Sequence, residues 1–277
     1  MPRVGVVLVT HDAQRWLGET LDSIAAQSVA PDRLVVVDDA SVDGTRAILE
    51  ARGIPVLAAA TTATDVTARI AANFEQGVRA CSGCDLVALG DHDDIWHPGR
   101  LAHQAGLLAG DAAALMVASD GRVIDATGRA TGATLRQAFP VPAGWAAMAP
   151  AERMRHAVRR SLATGGASMI RPAGFPDLDV PPGWLHDRWW SLVATAAGGL
   201  VLDDATVIDY RVQAGQRVGL DPGRQRASGL ARAGRAVAGA GEVAGKLRDL
   251  HGRLRPVATD ETVRAALGWW QLAKALR

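Results

Sequence analysis

The 277-residue chain holds two cysteines, two lysines and no run of some twenty apolar residues, and each scarcity excludes something. Without about twenty consecutive apolar residues no segment can cross a bilayer as a helix. Cys81 and Cys84 form a single C-x-x-C pair. With no second pair a structural zinc finger lacks half its ligands, and the disulfide framework of a small secreted domain cannot be built. The pair stands just before a strand rather than opening a helix, so it reads as two small thiols in a helix-to-strand turn, with a redox pair as the alternative. Scarce lysine beside abundant alanine, glycine and arginine points to a GC-rich genome and says little about function. Three glycine signatures are also missing: no G-x-G-x-x-G follows the first strand, and neither G-x-x-x-x-G-K-[ST] nor G-x-S-x-G occurs. Dinucleotide redox chemistry, P-loop hydrolysis and the nucleophile elbow therefore lose their main support. The net charge of +1 gives no general reason to expect nucleic acid. The N-terminal residues enter a strand-like run too short for a secretory apolar region and lack a small-residue cleavage site, so the expectation is a cytoplasmic, soluble chain.

What is present is a core and an alternation. Hydrophobic residues make up 48% of the chain, enough to fold without recourse to disorder. The length suits one large α/β domain, alone or with a helical appendage. Continuous β-branched runs at residues 4–9, 34–37, 54–58 and 85–89 read as buried strands. Between them, residues 15–27, 45–52 and 67–80 read as helices. Trp16, Leu17, Leu21, Ile24 and Ala25 share one face of the first, and Ile70, Phe74 and Val78 one face of the third. The pattern predicts a mostly parallel sheet with flanking helices. Beyond it we expect a helix at 101–109, a strand at 113–119, a helix at 151–161 and a glycine-opened strand at 164–170. A helix at 184–197 and two strands, 200–202 and 206–211, follow. From Gly215 arginine outnumbers acid. A boundary near Gly219 is expected, then two or three helices, the last at 260–276 with Trp269-Trp270.

Ligands of open α/β sheets bind beyond the carboxyl ends of the strands. Three strands end there in polar groups: Thr10-His11-Asp12, Asp38-Asp39 and Asp91-His92-Asp93-Asp94. Topology alone puts all three on one rim. The last places three carboxylates within four residues of an apolar strand, where they repel unless a cation or strong solvation compensates. Mg²⁺ or Mn²⁺ is held in this way by one or two carboxylates with phosphate oxygens, and it would balance a diphosphate where no phosphate loop exists. Asp91 and Asp93 are the candidate ligands, and Asp94 reads as a turn and capping residue. Asp39 to Gly44 with Glu50 also fits the spacing of a calcium loop, but a strand precedes it where a helix is needed. Asp39 is better read as facing a ligand, with capping of the following turn as the alternative for Asp38 or Asp39. His186-Asp187-Arg188-Trp189-Trp190 opens a predicted helix. Asp187 there is either a helix cap or a general base toward an acceptor hydroxyl, and the tryptophans are either core or an aromatic platform.

These stretches, with Val6 to Asp12, Val36 to Thr45, Ala88 to Trp96 and Asp209-Tyr210-Arg211, resemble the inverting family 2 glycosyltransferases of GT-A fold, most closely the rhamnosyltransferase-like branch. The ordered set spans roughly residues 3 to 220. The resemblance implies an α/β GT-A domain over about 1–219, with a nucleotide-sugar half to about 120 and an acceptor half after it, and a helical extension at 220–277. It implies that Val9, Thr10, His11 and Asp39 hold base and ribose, with Asp91 and His92 near the ribose and diphosphate. Asp93, with Asp91, would hold Mn²⁺ or Mg²⁺, and Asp187 would be the catalytic base. His186, Arg188, Trp189 and Trp190 would form the acceptor side. The implied reaction moves a hexose or deoxyhexose from a UDP-, dTDP- or GDP-linked donor to a hydroxyl of a glycan, lipid-linked intermediate or natural product. Three positions depart from the family pattern: His11-Asp12 replaces Tyr-Asn, His92 replaces Ser or Gln, and Val212-Gln213-Ala214 replaces Gln-His-Gly. A sugar-1-phosphate nucleotidyltransferase would need a glycine-rich, basic loop after the first strand, which Thr10 to Gln14 is not. A third reading is a degenerate nucleotide-sugar-binding module. The arginine-rich tail reads as a solvated helical face, with peripheral contact to an anionic membrane or a homodimer seam as the sharper alternatives.

Overall fold

The computed structural model describes residues 1–213 and 243–275. The expected boundary near Gly219 and the arginines from Arg217 to Arg235 lie outside the described residues.

The centre of the fold is β1 (Val4–Thr10), buried along its whole length. It pairs in parallel with β2 (Arg33–Asp38) and β4 (Leu86–Asp91), and β3 (Val56–Ala58) joins β2, also in parallel. Alternate residues of β1 feed two separate cores. Val4, Val6 and Leu8 pack with α1 (Leu17–Ala25) through Leu17, Leu21 and Ile24; Val7 and Val9 pack with α3 (Val66–Ala80) through Phe74 and Val78. That is why these strands are apolar throughout: both faces are covered. The crossover α2 (Thr45–Ala51) links β2 and β3. At Gly77 a Cβ would lie 2.4 Å from Val7 Cγ1, so glycine there lets α3 sit close on the sheet.

The remaining elements are β5 (Ile95–Trp96), α4 (Arg100–Gly110), β6 (Met116–Ile124), β7 (Ala130–Thr134), α5 (Leu135–Ala138), α6 (Pro150–Arg159), β8 (Ser168–Ile170), α7 (His186–Ala196) and β9 (Leu200–Arg211). The sheet order is β3-β2-β1-β4-β8-β6-β9-β5, with β7 on β6. Parallel ladders carry six, six, three and eight paired positions, whereas the antiparallel ones carry two or three each. The sheet is thus mostly parallel, with an antiparallel splice at β8.

Several expectations change in detail. The two strands foreseen at 200–211 are one strand, irregular where it passes Asp120 and Gly121 of β6. Only Ser168–Ile170 of the glycine-opened stretch is strand; Gly165–Ala167 forms a 3₁₀ turn. β5 has two residues and β7 is polar and largely exposed, so neither leaves an apolar run to read.

Past the gap, residues 243–249 form helix α8, continued by a π turn at Leu250–Leu254. The single terminal helix foreseen is two, α9 (Glu261–Ala266) and α10 (Trp269–Ala275), parted at Leu267 and Gly268. Asp260 caps α9 by accepting from the Thr262 and Val263 amides. Leu250, Leu254, Val263 and Leu267 share one core with Met154, Trp189 and Leu192. No described helix is long and apolar enough to cross a membrane.

Candidate functional site

A cavity of about 530 Å³ opens at the carboxyl ends of β1, β2 and β4, where the register sets Thr10 level with Asp38 and Val9 level with Asp91. The β1 end borders it through Val9, Thr10 and His11, and Asp39 follows from β2. The acidic turn contributes Asp91, His92 and Asp93, and the start of α7 contributes His186, Asp187 and Arg188. The three clusters predicted on one rim therefore do converge.

On the β1–β2 side the polar groups satisfy one another. Asp38 is fully buried and accepts from Thr10 Oγ1 (2.9 Å), Ser41 Oγ (2.5 Å) and Arg46 Nε (2.8 Å). Burial pushes its carboxyl up, but these donors outweigh it and hold the pKa below the ordinary value. Asp38 is therefore a structural post. Asp39 is the residue turned to the cavity, paired with Arg69 of α3 at 2.7 Å. His11 Nδ1 lies 2.7 Å from the Asp39 carbonyl oxygen, and the Asp12 carboxylate accepts from the Val42 amide at 2.9 Å. Asp43, another carboxylate of the calcium-like spacing, accepts from Thr45 and Gln14. Among the described residues no three His, Cys, Asp or Glu side chains are grouped to hold a metal unaided.

The acidic turn is less comfortable. Asp91 is half-buried, and its pKa is pushed up to about 7 by burial first, then by repulsion from Asp93 and Asp187. Asp94 does not cap a turn at the surface as expected. It is 1% exposed, accepts from the Arg211 amide at 3.0 Å, and its Oδ2 has no partner. Burial and its acidic neighbours raise its pKa well above the ordinary value. The next helix, α4, starts only at Arg100. The Arg100 guanidinium is itself buried, bonds the Leu89 carbonyl at 2.7 Å and stacks 3.6 Å over the Trp96 ring. Arg211, also buried, holds the turn from the other side: Nε donates to the Asp93 carbonyl at 2.8 Å and a terminal nitrogen pairs with Glu19 at 2.7 Å. Gln213 Nε2 reaches Asp93 Oδ2 at 3.2 Å. His92 keeps Nδ1 3.3 Å from the Val9 carbonyl oxygen while bordering the cavity.

Sequence reasoning missed the pair Gly165-Gly166. A Cβ on Gly166 would lie 2.6 Å from Asp94 Oδ2 and 3.1 Å from Asp91 Oδ2, so only glycine passes over this acidic floor. The Gly165 amide donates to Asp187 Oδ2 at 3.0 Å, and Asp187 Oδ1 accepts from the Arg188 amide at 2.6 Å. Asp187 is in the first turn of α7 but is not its N-cap, which is Leu185. Arg188 crosses to the end of α6 and donates to the carbonyls of Val158 (2.8 Å) and Arg160. Burial lowers its pKa to about 10.

Trp189 and Trp190 do not form an acceptor platform. They are 3% and 0% exposed. Trp189 packs on Trp184, and Trp190 Nε1 donates to the Leu178 carbonyl at 3.2 Å. The helical period turns both into the core while His186 and Asp187 face the cavity. His186 stacks on Phe74 with ring centroids 3.7 Å apart, and burial lowers its pKa to about 4. Cys81 and Cys84 are free thiols; Cys81 is buried, its pKa pushed up to about 12, mainly by burial. A Cβ on Gly5 would come within 2.9 Å of Cys81 Sγ, which fits the reading of small thiols packed in a turn.

The sequence profile of Glycosyl transferase family 2 matches residues 5–162, more than half of the chain and all three polar strand ends. The chain belongs to glycosyl transferase family 2. The match reaches the family and not the rhamnosyltransferase-like branch. Similar proteins agree: the putative glycosyltransferase EpsE of Bacillus subtilis (strain 168) is 29% identical over 190 residues, 67% of this chain and 66% of that protein. The uncharacterized glycosyltransferase YwdF of the same organism is 32% identical over 105 residues, 37% of each. The chain thus spans just under two thirds and about a third of these relatives. Among solved structures, residues 1–349 of S. aureus TarS in complex with UDP-GlcNAc superpose with a TM-score of 0.59 at 15% identity, covering 96% of this chain and 71% of that one. Glucosyl-3-phosphoglycerate synthase from Mycobacterium tuberculosis, in complex with Mn²⁺, UDP-glucose and phosphoglyceric acid, gives 0.53 at 19% identity, covering 77% and 73%. At such identities the likeness is one of fold.

Proposed function

We propose that the cavity binds a nucleoside-diphosphate sugar and that the protein transfers its hexose or deoxyhexose, with inversion, to an acceptor hydroxyl. The observation that carries this is the placement of Asp187. Its carboxylate borders the cavity, is oriented by the Gly165 amide, and stands close enough to Asp91 to raise that residue's pKa. A base and an acidic floor thus border one cavity. Asp39 and Arg69 would hold the nucleoside at the far end.

The floor suits a divalent cation. Asp91 and Asp93 repel one another here and Asp94 Oδ2 lacks a donor, and hard carboxylate oxygens suit Mg²⁺ or Mn²⁺. Asp91 and Asp93 would hold it. When bound, such a cation would stabilise negative charge on the departing diphosphate. Asp187 takes the acceptor proton as the acceptor oxygen bonds to the anomeric carbon. The bond from that carbon to the diphosphate breaks with its electron pair left on the phosphate oxygen, so one displacement inverts the centre. Arg188, tied to the end of α6, fixes the first turn of α7 on which the base rides. UDP-, dTDP- and GDP-linked donors all fit this chemistry. Trp270, 87% exposed on α10, supports a peripheral contact at the C-terminal helices.

Asp187→Asn provides the test. Removal of a general base costs about 10²–10⁴-fold in turnover. The variant should bind donor as the wild type does in a thermal-shift titration with Mn²⁺, yet turn over at least 100-fold more slowly. Turnover within a few-fold of wild type would overturn the assignment.

A further inference from the structure

One wall of the cavity carries polar groups that the protein leaves unsatisfied. Asn73, on the cavity face of α3, is fully buried, and neither Oδ1 nor Nδ2 has a hydrogen-bond partner. His186 is 4% exposed, and neither ring nitrogen has a partner. Ten buried side-chain atoms among the described residues are in this condition; four belong to these two residues and the other six to six different ones. Each such atom has given up its water without gaining a bond in return. A wall that gathers four of them is costly unless something absent from the free protein satisfies them.

The two side chains border the same cavity, one from α3 and the other from α7. Phe74 follows Asn73 on α3, and its ring stacks on the His186 imidazole at 3.7 Å, while Trp190 meets the same ring edge-on at 5.4 Å. Apolar rings thus hold the imidazole plane and leave its nitrogens on the perimeter. A Cβ on Gly165 would lie 2.6 Å from His186 Nε2, so only a bare glycine fits against that ring edge. The same Gly165 orients Asp187, which puts the imidazole edge next to the reacting end of the cavity.

The chemistry of the pair selects a ligand class. A carboxamide and a neutral imidazole each combine donor and acceptor without net charge. Burial holds His186 in that neutral form. A phosphate offers only acceptors and would leave the Asn73 oxygen unpaired. A hydroxyl both donates and accepts, and adjacent hydroxyls on a ring would meet both residues. We infer that Asn73 and His186 form a subsite that reads neighbouring ring hydroxyls of the donor. The inference rests on the cavity being a nucleotide-sugar site. The hydroxyls come from the transferred sugar or from the ribose, and the nearness of Asp187 favours the sugar.

Asn73→Leu and His186→Phe test the subsite in the full chain, since each keeps shape and removes the polar atoms. Melting temperature is measured together with calorimetric affinity for UDP, dTDP and GDP and for their glucose and galactose derivatives, with Mn²⁺. The expected result is an unchanged or higher melting temperature, because apolar replacements relieve unsatisfied groups, and at least a tenfold loss of affinity for the sugar nucleotide that the wild type binds best. Loss confined to the sugar nucleotide, with the glucose–galactose preference flattened, supports the subsite and assigns it to the transferred sugar. An equal loss for the plain nucleotide supports it and assigns it to the ribose. Unchanged affinity in both variants, or a lower melting temperature with unchanged affinity, would mean the groups serve the fold through ordered water, and the inference fails. Failure of the wild type to bind any of these nucleotides would overturn the nucleotide-sugar reading itself, and the subsite with it.

Discussion

The two sides of the cavity are built on opposite principles. On the β1–β2 side every acid has its donors: Asp38 has Thr10, Ser41 and Arg46, Asp39 has Arg69, and Asp43 has Thr45 and Gln14. On the β4–α7 side Asp94 keeps an orphan oxygen, Asp91 has its pKa pushed up to about 7, and His186, like Asn73 of α3, has no partner. The first side is a finished frame, which under the proposed function would dock the nucleoside without rearrangement. The second stores unfavourable burial that a ligand would relieve, so binding energy is concentrated where bonds change. Stability and function should therefore part company between the two sides.

The largest departure from this division is expected at Arg211, the strut under the reactive side. Arg211→Met deprives the buried Asp93 carbonyl and Glu19 of a charged donor. Charge-assisted bonds of this kind contribute about 1.5–3 kcal/mol each. Urea unfolding should show a loss of roughly 3 kcal/mol or more. A loss below about 1 kcal/mol would show that the turn stands without its strut.

Asp93→Ala should do the reverse. It removes a repelling carboxylate from the floor, so the midpoint of urea unfolding should hold or rise. Turnover with Mn²⁺ should fall on the order of 100-fold, about 2.7 kcal/mol of barrier. Unchanged turnover would sink the metal assignment.

The smallest effect is in pH. The His186 pKa falls from 6.5 to about 4 on folding. Between these values the unfolded chain binds a proton that the folded one refuses, so stability is complete above pH 6.5 and declines as pH falls toward 4. By pH 5 this amounts to about 2 kcal/mol. His186→Phe should flatten that part of the stability profile. An unaltered slope would assign the acid sensitivity to other groups.

Much of the frame was legible because it rests on short-range regularities. The strands at residues 4–9, 34–37 and 85–89 announce themselves as continuous apolar runs, and they were found within one or two residues of their ends. β8 and β5 were not, or only in part, because three or two residues make no period. Trp189 and Trp190 were open to either reading from pattern alone; adjacent residues on a helix point about 100° apart, and only the packing of Trp184, Phe175 and Leu178 shows which way they turn.

The family and the place of Asp187 came from the resemblance of motifs; by itself the residue pattern determined the βα alternation, the two-sided burial of β1 and the meeting of Asp39, Asp91 and Asp93 at one rim. These follow from period, strand direction and chain order, which are local or topological. Tertiary structure alone supplied the partners that fix the direction of each acid. Asp38 turns inward to Thr10, and Asp94 is locked by the Arg211 amide 117 residues away. It also decided that Gly166 must be bare over the acidic floor, and that Asn73 and His186 both end at the cavity without partners. No local pattern encodes these outcomes, because whether a polar atom is satisfied depends on what distant segments bring to within three ångströms of it.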